Sequence, residues 1–175
     1  MNKDKFQLKA STKWARDLQL DHVPLESYFR DMKTICKDNK LRELYFKLLH
    51  RTIVTKKELF HYGKENNMLC RYCEMNDSII HTFQNCSWTK QFFSEVIKWF
   101  KAENATSLRL SQIETMFGRK WNEINAEQYH ERKLNFTLLF AEYYLYNTKL
   151  THGEISMPVF ITKVNYKYSL EGLNV

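Results

Sequence analysis

Cys70, Cys73, His81 and Cys86 stand in the order C-x2-C-x7-H-x4-C, and no other feature constrains the fold of this chain as tightly. Three thiolates and an imidazole suit a closed tetrahedral site for Zn2+, which takes soft sulfur and borderline nitrogen donors. The two residues between Cys70 and Cys73 let that pair grip one ion from a tight turn. His81 and Cys86 are five apart, so the start of a helix or a short loop must bring them round to the same point. A closed site of this kind holds a fold together and leaves no position open for a substrate.

Disulfides are the competing reading of the same cysteines, and composition opposes it. The first eleven residues, MNKDKFQLKAS, carry charge where a secretory leader needs an apolar run, so the chain reads as intracellular, nuclear or cytoplasmic or both. Four cysteines in 175 residues are too few for a disulfide scaffold. Cys36 lies far from the other three and reads as a buried or half-buried free thiol.

A chain with 43% hydrophobic and 15% aromatic residues can bury one substantial core, and nothing in it approaches the ~20 apolar residues that cross a bilayer. Four glycines and two prolines leave few breakpoints, which favours long helices over a many-stranded sheet. The expected fold is therefore mainly α: a multi-helix domain over residues 12–175 that carries the zinc-bound loop at 70–86 as a small lobe, after an N-terminal tail at 1–11.

Local signals place the elements. Ser11 or Thr12 can cap a helix through Trp14 and Leu18, and Pro24 suits the first turn of the next. Between Asn39 and Arg51, Leu41, Leu44, Tyr45, Leu48 and Leu49 form one apolar stripe at helical spacing. Thr55 and Glu58 make a capping box, and Gly63 is a natural stop. Asp77 or Ser78 can cap the turn that carries His81. Ser87 can open a helix with Trp88, Phe92, Val96, Ile97 and Phe100 inward, and residues 107–117 read as irregular or short-helical up to Gly118. The longest helix is expected from about Ala126 to Thr148, whereas Val159 to Tyr168 fits either a strand or a helix.

Charge is uneven along the chain. Residues 1–64 hold fifteen Lys and Arg against eight Asp and Glu, while the remainder is balanced at twelve each, so the whole net charge of +7 precedes the metal motif. Such asymmetry points to a polyanionic partner. Lys40, Lys47 and Arg51 share one side of a helix, Lys56, Lys57 and Lys64 follow, and Arg71 and Tyr72 sit between two metal ligands. A nucleic-acid backbone running from that helix to the loop would meet the cations, with a base stacked on Tyr72 or Phe83.

The run Leu41 to Phe60, LRELYFKLLHRTIVTKKELF, followed by Cys70-x2-Cys73, Asp77-Ser-Ile-Ile-His81-Thr-Phe-x2-Cys86 and the Phe92-Phe93 helix, resembles the zinc-binding region at the C-terminal end of non-LTR (LINE-type) retrotransposon reverse transcriptases. Met116-Phe117-Gly118 and the tyrosine-rich run Phe140 to Tyr146 look like the tail of the same polyproteins. Asp77 stands where relatives commonly carry Glu, and Thr82 where they carry Leu, changes expected to loosen the turn that presents His81.

The resemblance implies a nucleic-acid-handling appendage of a reverse transcriptase, binding RNA or single-stranded or melted DNA and partnered by the rest of that enzyme. The residues themselves offer no catalytic set. No two aspartates are adjacent, and there is no glycine-rich phosphate loop and no G-x-S-x-G elbow. Two E-x-x-H spacings, Glu58 to His61 and Glu127 to His130, look like half of a di-iron bundle, but Glu58 is better used as the capping-box acid. Two other readings stand beside nucleic-acid binding: a protein-docking module that uses the aromatics of Tyr143 to Tyr146, and a purely structural zinc domain.

Overall fold

A computed structural model describes residues 9–120 and 128–173. In chain order they form α1 (Lys9–Leu18), α2 (Leu25–Ile35), α3 (Asn39–His50), α4 (Lys56–His61), a π-turn (His81–Asn85), α5 (Ser87–Glu103), α6 (Gln112–Phe117), α7 (Gln128–Leu150) and α8 (Met157–Glu171). Among the described residues the only extended pairing is one antiparallel bridge, Leu69 to Asn76. No helix of the described residues is long and apolar enough to cross a membrane.

Helix α7 is the axis of the molecule. Leu134, Leu138, Phe140, Ala141 and Tyr144 are all buried, and so is almost every other residue from Leu134 to Leu145. A helix covered all round needs neighbours on every side. α2, α3, α5, α6 and α8 supply them. The apolar stripe of α3, Leu41 to Leu49, is buried as the pattern requires. α1 joins through Trp14, fully buried, whose indole N–H donates to the Leu49 carbonyl at 3.2 Å.

Several sequence expectations are corrected. α1 is already under way at Lys9, so residues 9–11 belong to the helix and not to a tail, and Ser11 is no cap: its hydroxyl donates to the Val23 carbonyl. Val159 to Tyr168, which fits either a strand or a helix in sequence, is decided rather than corrected: it is helical, with Pro158 in the first turn and Phe160, Val164 and Tyr168 buried four residues apart. On α5 the inward face is Thr89, Phe92, Phe93, Val96 and Phe100, while Trp88 is 49% exposed. Among the tyrosines of α7, Tyr144 is buried, Tyr143 is half-buried, and the half-buried Tyr146 donates its hydroxyl to the Val54 carbonyl at 2.9 Å. The proposed start of α7 at Ala126, and Glu127 of the second E-x-x-H, lie outside the described residues.

Two long-range clamps close the bundle. Tyr45 donates its phenol to the Phe117 carbonyl at 2.7 Å, and the Asn135 amide brackets the next segment, accepting from the Arg119 N–H at 2.8 Å and donating to the Arg119 carbonyl at 2.9 Å. Gly118 makes this possible: at φ +78° it lies where a Cβ would stand 2.7 Å from Asn135 Oδ1. At the other end Glu171 of α8 is 4% exposed and accepts from the Lys37 N–H at 2.8 Å, the Asp38 N–H at 3.1 Å and Arg132 at 3.4 Å.

Candidate metal centre

The first ligand pair is built on a knuckle. The Asp77 N–H donates to the Met68 carbonyl at 2.8 Å and the Cys70 N–H to the Met75 carbonyl at 2.7 Å, so the chain folds back on itself. The Glu74 N–H then donates to the Cys70 carbonyl at 2.8 Å, with Glu74 left-handed at φ +60°. This is the tight turn that two intervening residues allow.

The second pair is joined by the π-turn. Around an α-helix at 3.6 residues per turn, positions five apart point about 140° away from one another. The Cys86 N–H instead donates to the His81 carbonyl at 3.0 Å, a bond between residues five apart, which widens the turn and brings the fifth residue back over the first. Ser78 starts this segment, its hydroxyl accepting from the His81 N–H at 3.3 Å.

The result is a Cys3His group that can hold a metal ion: one ligand atom from each of Cys70, Cys73, His81 and Cys86, all within 4.8 Å of one another. Cys73 Sγ lies 3.2 Å from His81 Nε2 and 3.7 Å from Cys86 Sγ, and Cys70 Sγ lies 3.9 Å from Cys86 Sγ. Cys70, His81 and Cys86 are buried and Cys73 is half-buried. Hydrogen bonding from the Cys70 thiol, supported by the Thr89 N–H and by Lys149, pulls the Cys86 thiol down to about 4. The same bond, together with burial, pushes Cys70 up. Cys36 takes no part: it is buried apart from the group, and burial raises its thiol to about 12.

Around the ligands stands a supporting shell that the sequence did not reveal. Lys149, near the end of α7, has a side chain 8% exposed, with its ammonium 3.4 Å from Asp77 Oδ1 and 3.7 Å from Cys70 Sγ. A cation here offsets the charge of a thiolate-rich site. Thr82 donates to Asp77 Oδ1 at 2.8 Å, and Thr55 donates to the Asp77 carbonyl. Asp77 and Thr82, the two positions expected to loosen this turn, therefore bond to each other. They do not loosen the turn; they tie it across its base.

The basic residues expected to meet a nucleic acid fall in different places. Lys56, Arg71 and Tyr72 line one cleft of about 60 Å3 beside the metal group, together with Lys149 and Asp77. Tyr72 is half-buried, its phenol donating to the Gly153 carbonyl at 2.8 Å and the Arg71 guanidinium 5.5 Å from its ring. Lys40 and Lys64 are exposed, and Lys57 is half-buried. Lys47 pairs with Glu43 at 2.6 Å. Arg51 is not a surface contact: it is paired with Asp17, lies 4.0 Å over the Trp14 ring and is 13% exposed. Phe83 cannot stack a base, being 1% exposed.

No protein-family model matches the chain, and no curated protein matches it either.

Proposed function

We propose that the Cys3His group holds one structural Zn2+ and that the domain binds RNA or single-stranded or melted DNA with little sequence readout, as a non-catalytic part or descendant of a non-LTR retrotransposon reverse transcriptase. The donor set fits zinc. Sulfur atoms at ~2.3 Å from a tetrahedral ion lie ~3.8 Å apart, and two of the sulfur pairs stand at 3.7 and 3.9 Å. Zinc would supply rigidity here and no reaction, since all four positions are filled by protein.

The observation that carries the nucleic-acid reading is the cleft beside the Cys3His group, where the Arg71 guanidinium and the Lys149 ammonium lie 5.5 and 5.9 Å from the Tyr72 ring and Lys56, 4.0 Å from Glu65, shares the lining. Cations beside an aromatic face suit a phosphodiester strand with a stacked base. Protein docking through the Tyr143 to Tyr146 region is the second reading, with less of that surface free because Tyr144 is buried and Tyr143 and Tyr146 are half-buried.

Metal analysis of the purified protein is expected to give one zinc per chain, lowered by Cys73→Ser and unchanged by Cys36→Ser. Filter binding of single- and double-stranded RNA and DNA over a range of salt tests the rest. Affinity should fall linearly with log salt by ~0.7 per phosphate contact on single strands, and Lys56→Glu with Arg71→Glu should flatten that slope. Binding to none of the four nucleic acids would remove the reading.

A further inference from the structure

We infer that a second surface, the groove between α5, the π-turn and α6, holds the phosphodiester backbone of a single nucleic-acid strand. The inference rests on the nucleic-acid reading above and adds a separate site to it. The groove has a volume of about 440 Å3; Lys90, Ser94, Lys98 and Lys101 line it from α5, Gln84 from the π-turn and Thr115 from α6.

Three observations argue for a polyanion. The lining contains three lysines and no Asp or Glu, and among the described residues none of Lys90, Lys98 and Lys101 is ion-paired. At 1.5 Å per helical residue the lysines form a row about 16 Å long, too long for one free phosphate and matched to several consecutive phosphates of a strand. Gln84 is only 9% exposed, yet its amide has no hydrogen-bond partner among the described residues, which leaves a donor and an acceptor in the groove lining for a ligand to meet.

The same groups favour a nucleic acid over an acidic protein segment. The Ser94 hydroxyl suits a phosphate oxygen, while that of Thr115 donates to the Ser111 carbonyl at 3.0 Å, and a glutamine amide offers the paired donor and acceptor that a base edge accepts. The groove is also rigid. Its π-turn contributes the ligand His81, and α5 starts directly after the ligand Cys86, so the cations are fixed to the metal lobe.

Lysine acylation footprinting of the zinc-loaded protein, with and without oligo(dT), tests this directly. Lys90, Lys98 and Lys101 should be protected by the strand. Replacing all three by Gln should leave zinc content and circular dichroism unchanged, lower affinity by on the order of tenfold or more, and reduce the salt slope by ~2. If the wild type binds oligo(dT) while these lysines are acylated as freely as before, the groove is not the site and the cleft at Lys56 and Arg71 stands alone. If no strand binds at all, the underlying reading fails and the groove with it. Protection by polyglutamate as complete as that by oligo(dT) would assign the groove to an acidic protein and overturn the proposal. The footprint needs no variant, so misfolding of the triple substitution does not blunt it.

Discussion

Lys149 shows where reading residues one after another stops. The four ligands are legible because their chemistry and spacing are local, but Lys149 lies 79 positions from Cys70 and carries no motif. Only the fold brings its ammonium to the sulfur. Lys149→Met keeps the length of the side chain and removes the charge, and it should weaken zinc binding by ~10- to 100-fold in a competition titration with a chromogenic chelator. Glu142 is a different case. It is 2% exposed in the middle of α7, Oε1 has no partner among the described residues, and burial raises its carboxyl well above the usual range. The folded state therefore favours the protonated acid. Its stability is fullest below the unfolded pKa and declines as pH rises towards the raised value. Denaturation curves of Glu142→Gln and wild type should nearly coincide at acid pH and separate in favour of the variant as pH rises. A wild-type advantage that grows with pH would contradict the burial argument.

Among the elements, capping chemistry was readable and long-range geometry was not. The Thr55 to Glu58 box forms as the pattern foretold, with the Thr55 N–H donating to the Glu58 carboxylate at 2.9 Å. The same signature at Ser111 to Glu114 opens α6, so a span that reads as irregular or short-helical held a signal that decides for the helix. The π-turn could not be read, because its i to i+5 bond follows from where both ligands must point and not from the propensities of His81 to Asn85. Trp88 was placed inward because it lies four residues before Phe92; the buried stripe is centred one step round, on Thr89 and Phe93. Gly118 ends α6 for a reason more demanding than helix termination. Its left-handed backbone and the approach of Asn135 leave no room for a side chain, and Asn135 is held at both ends of its amide by Arg119. Gly118→Ala should lower stability by about 2 kcal/mol in urea denaturation. An effect near zero would mean that the Asn135 clamp gives way easily.

At the scale of the molecule, the helical class and the place of the Cys3His group were legible, but the ties between that lobe and the core were not. Tyr72 donates to Gly153, Lys149 reaches Asp77 and Cys70, and the rings of Phe83 and Tyr146 lie 6.2 Å apart, so the C-terminal end of α7 is part of the metal site's frame. Chelation followed by hydrogen exchange should release residues 68–86 together with the last turns of α7, from Tyr146 onward, while Leu134 to Leu145 stays protected. Loss of protection confined to the knuckle would show that these ties carry little. The charge map also changes with folding. A half that is neutral by count gathers Lys90, Lys98 and Lys101 on one groove, which no running total along the sequence displays.

The Glu171 clamp carries a consequence for biosynthesis. Its carboxylate satisfies the backbone N–H groups of Lys37 and Asp38, at the entrance to α3, from a distance of 134 positions along the chain. In a growing chain those donors have no carboxylate to meet until residue 171 has been added, so this clamp forms only after α2, α3 and α7 have been synthesised.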